Sequence, residues 1–320
     1  MVYHILPLNY LQQMLYDRIY KFMGARQVGT LTRFLTSTLM YFPFVRLLKK
    51  FQPDIVICTH PFPEAAASLW KFLHAKATRK FLLTTVLTDY SLHEIWIYSE
   101  VDIYFVATEE MKNELAAQSR PNQQIYATGI PINLNFMEND NRLQNKKFTI
   151  LIMGGGLGLG SIEETLQDLE NISTELKIIV VTGQNEKLLS RLKNFNSKHE
   201  TKIFGNVDNV AELMKSANLL ITKPGALTMT EAFACGLPMI LHAPIPGPEA
   251  KNADFAVKNG AAFSVGNKKI STVLKSLLEV SEILDEMKLC AKKISKPDAA
   301  LKICKIITHL FREEGRGKRS

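Results

Sequence analysis

Two glycine-bearing turns and one strand-end carboxylate carry the chemistry legible in this chain. Gly154-Gly155-Gly156-Leu157-Gly158 directly follows the apolar run Phe148 to Met153 and precedes a helical pattern starting near Ser161. Glycines there let a backbone approach a phosphate closely, and a following helix N-terminus offers N–H groups and a positive dipole end. A nucleoside diphosphate fits such a turn, whereas the spacing is not GxGxxG and no acidic residue follows in a position for a nicotinamide ribose. Close strand-to-helix packing explains the glycines equally well.

Lys223-Pro224-Gly225-Ala226-Leu227-Thr228-Met229-Thr230-Glu231 repeats the arrangement after the apolar run Leu219 to Thr222. Pro and Gly make the turn, Thr228 is placed to cap the next helix, and Glu231 falls three residues later, at capping-box spacing. That box alone accounts for Glu231. Two such turns at carboxyl ends of strands in one domain define a crevice of the kind that binds ligands in open α/β sheets. Upstream, Asp89 in Thr88-Asp89-Tyr90-Ser91-Leu92-His93 stands just past the strand Phe81 to Leu87, where a carboxylate can act as a general base. The plainer readings are that Asp89 caps the next segment and that His93 is a satisfied structural histidine.

The elements that must position these residues alternate. Asp54 to Cys58, Phe81 to Leu87, Ile103 to Val106 and Gln124 to Ala127 read as buried strands, with helices over Pro63 to His74 and Glu109 to Ala117. The polar stretch Asn133 to Lys147 reads as a linker. Beyond it, Phe148 to Met153, Leu176 to Thr182, Thr201 to Phe204, Leu219 to Thr222, Pro238 to Leu241 and Ala261 to Val265 are strands separated by helices. Apolar runs joined by crossover helices specify parallel doubly wound sheets, hence an α/β protein of two domains facing a cleft, 1–135 and 146–312.

Tyr10 to Met23 and Leu31 to Phe51 are read as helical, the second interrupted near Pro43. The first 80 residues hold 11 Lys/Arg against 3 Asp/Glu, and the remainder holds 28 of each, so the whole net charge of +8 lies at one end. A cationic block rich in Leu, Phe, Tyr and Met suits an anionic membrane surface; a solvated basic face is the bland alternative. It contains no nucleic-acid recognition motif, so no nucleic-acid partner is expected. Four widely spaced cysteines, with neither CxxC nor zinc-ligand spacing, fit a reducing cytosol and no metal site. No run of about 18 apolar residues is present to span a bilayer, so a cytoplasmic protein peripheral on the cell membrane is expected.

The string TKPGALTMTEAFACGLPMIL followed by APIPGPEAKNA resembles the donor half of the processive diacylglycerol glucosyltransferases and plant monogalactosyldiacylglycerol synthases, relatives of the lipid-linked peptidoglycan N-acetylglucosaminyltransferase. TDYSLHEIWIYSEVDIYFVATEEMK and YATGIPIN are similar to the acceptor half of the same family, glycosyltransferase family 28. The resemblance implies a GT-B fold of two Rossmann-like domains, with a UDP-sugar, UDP-glucose or UDP-galactose, in the C-terminal one and a diacylglycerol-type lipid in the other. By that similarity Glu231 holds the ribose hydroxyls. Gly154, Gly155, Gly156, Gly158, Gly225, Ala226, Leu227 and Thr228 bind the diphosphate. Phe204 and Val207 border the uracil, and Glu249 and Asn252 lie near the donor sugar. Asp89 is the base of an inverting transfer, and His93 and Trp96 shape the acceptor pocket. The UDP-sugar is a substrate, and the scheme calls for no cofactor.

Three departures from the family stand out. Pro248 replaces a glutamine before Glu249, Ala226 replaces a glycine, and the opening strand with its glycine-histidine loop is missing, which implies an incomplete N-terminal domain. An incomplete reading frame, a second chain supplying the missing unit, and a non-catalytic nucleotide- and membrane-binding protein all accommodate that absence. Transfer to a lipid-linked peptidoglycan precursor and UDP-sugar epimerisation remain alternative activities.

Overall fold

The computed structural model describes residues 40–75, 81–137, 147–155, 161–244 and 247–317. They form two compact units, one comprising residues up to Pro131 with Pro246–Pro248 and Ala299–Ser320, the other Ile132–Ile245 with Glu249–Asp298. The helix expected over Tyr10 to Met23 lies outside the described residues, as does the start of the next. Over 40–51 the backbone is helical straight through Pro43. The interruption expected there is absent: proline withholds a single N–H, and the later rungs of the ladder remain.

In the first unit β1 (Ile55–Cys58), β2 (Leu82–Val86), β3 (Ile103–Phe105) and β4 (Gln124–Tyr126) lie in sequence order, all parallel. α1 (Pro61–Leu73) follows β1, with Pro in its first turn, where the missing N–H is one that a helix leaves unpaired anyway. α2 (Glu109–Ala116) follows β3 and is capped by Thr108 Oγ1, which accepts from Met111 N at 3.1 Å. Asp102 ties helix to sheet, accepting from Leu83 N at 2.7 Å and from Lys71 Nζ at 2.5 Å.

Strands that advance in one direction through right-handed crossovers put their connecting segments on one face. The opposite face, Leu82, Val86, Ile103 and Phe105, is covered by α10 (Ala299–Gly317) through Ile303 and Ile307. Sequence reading had assigned 299–312 to the second domain. The spacing Ile303, Ile306, Ile307, Leu310 announces an apolar helix face without saying which sheet it covers.

The second unit contains β5 (Phe148–Met153), β6 (Leu176–Val181), β7 (Glu200–Phe204), β8 (Leu219–Thr222), β9 (Met239–Leu241) and β10 (Ala262–Ser264). Their spatial order is β10-β9-β8-β5-β6-β7, all parallel. The chain thus winds outward from β5 in one direction, returns to β8 beside β5, and winds outward in the other. Right-handed crossovers then place helices on both faces. These are α3 (Ile162–Leu169), α4 (Glu186–Leu192), α5 (Val210–Ser216), α6 (Ala226–Cys235), α7 (Pro248–Lys258), α8 (Ile270–Glu279) and α9 (Ser281–Ile294). Strands sandwiched this way are apolar along their length, as Thr149 to Met153 and Leu219 to Thr222 are, every residue buried.

The start of the anticipated linker, about a third of it, is not a linker. A 3-10 turn, Leu134–Met137, packs on α6 with Phe136 buried, and Lys215 Nζ donates to Asn135 O at 2.6 Å. Residues 138–146 lie outside the description.

Candidate functional site

The switch in winding direction falls between β5 and β8, and the turns leaving these two neighbours diverge to opposite faces of the sheet. Such a point leaves a crevice outside the carboxyl ends of the strands. Gly154 and Gly155 form its β5 side. Gly155 has φ +69°, the left-handed region that glycine enters at least cost. Gly156, Leu157 and Gly158 lie outside the described residues. On the β8 side, Pro224 and Gly225 turn the chain into α6, and a Cβ added at Gly225 would meet nothing within 4 Å.

α6 begins earlier than the capping-box reading placed it. Gly225 is the N-cap, no side chain caps the helix, and its first intrahelical bond is Met229 N to Gly225 O at 3.0 Å. The N–H groups of Ala226, Leu227 and Thr228 therefore have no acceptor within the helix. Thr228 sits inside the first turn, since the Pro-Gly turn finishes at Gly225 and nothing delays the helix. Ala226 takes helical geometry, so a side chain there is no obstacle to the turn. At its other end α6 closes on Gly236, φ +57°, with Leu237 N bonded to Ala232 O at 2.9 Å.

Glu231 lies six residues past Gly225, about 9 Å along the helix axis. It is half-buried, and no cation pairs with it among the described residues. Burial without a counter-charge pushes its carboxyl up to about 7. Lys223, which sequence reading did not single out, pairs with Glu249 in the first turn of α7. Pro248 starts that helix. Asn252, one turn on, is fully buried and donates to Pro224 O at 3.4 Å, so it braces the Pro-Gly turn.

Phe204 ends β7 with 39 % of its surface exposed, and Val207 follows in the loop leading into α5. Because α5 packs on α6, that loop stands beside the helix carrying Glu231. A separate cavity of about 420 Å³ lies between α3 and the start of α8, lined by Ser161, Glu164, Asp168, His242 and Lys269 among others, and contains none of the expected site residues. Asp168 is already committed there, accepting from Ser271 N at 2.7 Å and Ser271 Oγ at 2.8 Å.

In the first unit Asp89 is half-buried three residues beyond β2. His93 is the N-cap of a 3-10 turn, Glu94–Trp96, its Nδ1 accepting from Ile95 N at 3.2 Å. Trp96 is buried, and its carbonyl accepts from Tyr104 Oη at 3.0 Å. His60, past the end of β1, caps α1 in the same way, Nδ1 accepting from Phe62 N at 3.3 Å.

Beneath this rim sequence reading missed a buried polar row. Cys58, Thr85 and Tyr104 are register partners on β1, β2 and β3, and Glu64 of α1 lies among them, its Oε1 accepting from Thr85 Oγ1 at 2.8 Å. Burial holds Glu64 well above the usual carboxylate range and pushes the Cys58 thiol up to about 12, with the Glu64 charge adding to the shift. The one signal available was a glutamate inside the otherwise apolar helix PFPEAAASLW.

A parallel sheet wound in both directions, with a phosphate-suited crevice at its switch point, beside a second parallel α/β unit is the architecture of the GT-B fold, and the family matches make the protein a glycosyltransferase, an enzyme that transfers a hexosyl unit. Residues 6–132 match the family model of monogalactosyldiacylglycerol (MGDG) synthase, and residues 149–303 match the glycosyltransferase family 28 C-terminal domain. A processive diacylglycerol beta-glucosyltransferase of Bacillus cereus (strain AH187) is 36% identical over 269 residues, covering 79% of this chain and 67% of the relative. The Bacillus anthracis (strain CDC 684 / NRRL 3495) protein of the same name is 35% identical with the same coverage. The chain belongs to glycosyltransferase family 28.

Among solved structures, Acinetobacter baumannii MurG matches with TM-score 0.62 at 17% identity, over 84% of this chain and 77% of that one. MnaA of S. aureus, solved with UDP, matches with TM-score 0.63 at 14% identity, over 86% and 79%. At these identities the likeness is one of fold.

Proposed function

We propose that this enzyme transfers glucose or galactose from a UDP-sugar to a diacylglycerol-type lipid with inversion, at the cytosolic surface of a membrane. The observation that carries the donor side is Glu231, a half-buried carboxylate with no cation beside it among the described residues, on a helix whose first N–H groups are uncapped. A ribose diol donates two hydrogen bonds to such a carboxylate, while the diphosphate accepts from the N–H groups of Ala226 to Thr228 and lies along the helix dipole. Phe204 offers an apolar surface to the uracil. Stabilising the negative charge that builds on the departing UDP lowers the barrier, because those dipoles are already oriented before the reaction begins.

Asp89 takes the proton of the acceptor hydroxyl as that oxygen attacks the anomeric carbon from the face opposite UDP, which inverts the configuration there. Support for a diacylglycerol-type acceptor comes from the relatives, whose names specify diacylglycerol.

No helix among the described residues is long and apolar enough to cross a membrane. Support for surface attachment lies in the helical segment 40–51, where Phe42 is 77 % and Phe51 66 % exposed beside Arg46, Lys49 and Lys50. Phe72 and Leu73 at the end of α1 are likewise exposed. Aromatic side chains with cations alongside suit an anionic headgroup layer.

The test is titration calorimetry with UDP, followed by transfer from UDP-glucose and UDP-galactose into diacylglycerol vesicles, with polyprenyl-linked sugar as a competing acceptor. Binding with transfer to diacylglycerol supports the reading; a folded chain that binds no UDP sinks it.

A further inference from the structure

The Lys223–Glu249 pair sits where the proposed diphosphate would lie. The lysine leaves the end of β8 and its stem crosses toward β5: a Cβ on Gly155 would meet Lys223 Cε at 3.7 Å. Its ammonium donates to Glu249 Oε1, with the two side chains only 17 % and 14 % exposed. An ion pair withdrawn this far from water is costly to separate unless each partner is given a replacement, since either charge left alone keeps its desolvation penalty. An ammonium has three N–H donors, and this contact uses one.

We propose that Lys223 is the cation of the donor site and that it exchanges partners, leaving Glu249 for the diphosphate and so freeing the Glu249 carboxylate to accept hydroxyl hydrogen bonds from the sugar. The inference rests on reading the β5 and β8 turns as the diphosphate site. Its consequence is that the two halves of the donor are recognised jointly. A UDP-sugar supplies a replacement for both partners, a phosphate for the lysine and hydroxyls for the glutamate. UDP alone supplies only the first, and leaves Glu249 beside a second negative charge.

Titration calorimetry of the full chain with uridine, UDP and UDP-glucose separates this from a merely structural salt bridge. Lys223→Met is expected to weaken UDP roughly 10- to 100-fold, the range of one lost charge-assisted hydrogen bond, while uridine affinity stays unchanged. Lys223→Arg recovers most of that loss. Glu249→Gln is expected to tighten UDP several-fold and to reduce the ratio of UDP-glucose to UDP affinity, a combination that misfolding cannot produce. In the double variant the UDP loss should be smaller than in Lys223→Met alone, because the glutamine puts no second negative charge beside the diphosphate.

Equal losses for uridine and UDP in Lys223→Met, or a Glu249→Gln chain that binds UDP more weakly, overturn the exchange while leaving the nucleotide site standing. A folded wild-type chain that binds neither UDP nor uridine removes the nucleotide site and the exchange with it.

Discussion

The two sheets are built from the same alternation of apolar strands and helices, yet among the described residues only one of them makes a crevice by itself. In the second unit the winding reverses between β5 and β8, so two neighbouring strands send their turns to opposite faces and a gap opens above them. In the first unit the described strands run β1-β2-β3-β4 without reversal. Asp89, His93 and His60 stand along a rim that has no such gap between its described strands. The same local code therefore yields a self-contained crevice in one unit and a rim of polar side chains, half-buried at Asp89 and His93 and exposed at His60, in the other.

The largest effect expected from this division is on chemistry alone. Asp89→Asn should lower transfer about 10²- to 10⁴-fold, the usual contribution of a positioned base, while the UDP dissociation constant measured by calorimetry does not move. A parallel loss of UDP affinity would show that the two sites are not separable.

Packing provides the converse test. Ile307→Ala removes a buried side chain between α10 and the first sheet and should cost about 2–5 kcal/mol of that unit's stability. In thermal unfolding a transition should shift down without altering UDP affinity at temperatures where the chain is folded. If UDP binding weakened in step, α10 would have to act on the second unit.

Glu231 sets stability against function within one side chain. Its folded carboxyl is raised to about 7, above the roughly 4.3 of an unfolded glutamate, so the folded chain binds the extra proton. The resulting stabilisation is complete below the unfolded value and is lost as pH rises through about 7. Glu231→Gln should accordingly gain in melting temperature relative to the natural chain between pH 5 and pH 8. Over the same window UDP affinity of the natural chain should climb as the carboxylate forms, whereas the glutamine variant stays roughly 10- to 100-fold weaker at pH 8. A UDP affinity independent of pH would detach Glu231 from the ribose.

The smallest expected effect concerns the exterior of the first unit. Lys49→Ala and Lys50→Ala should each reduce sedimentation with phosphatidylserine vesicles about fivefold, near 1 kcal/mol per cation, and leave neutral vesicles and UDP binding unaffected. Equal binding to neutral and anionic vesicles would remove the charge argument.

What was legible in the sequence was whatever is encoded between near neighbours. Phe148 to Met153 and Leu219 to Thr222 are strands with the bounds their apolar runs suggest, and the other described strands differ by a residue or two at an end. Gly155 and Gly225 fall at the turns expected of them, and at Gly155 the left-handed φ of +69° gives the missing Cβ a use. Even a strong local signal can misplace a boundary: the Thr228 and Glu231 spacing imitates a capping box, yet the Pro-Gly turn starts the helix three residues earlier.

Composition, apolar periodicity and turn chemistry thus determined by themselves that the chain makes parallel α/β units with phosphate-suited turns, because a strand, a helix or a tight turn depends on residues within a few positions of one another. Only the tertiary structure decided that α10 covers the first sheet, that Lys223 meets Glu249, 26 positions further along the chain, and that Glu64 lies sealed among Cys58, Thr85 and Tyr104. Those partners are chosen by strand order, register and burial, and the same side chains set against other neighbours would carry different charges and do different work.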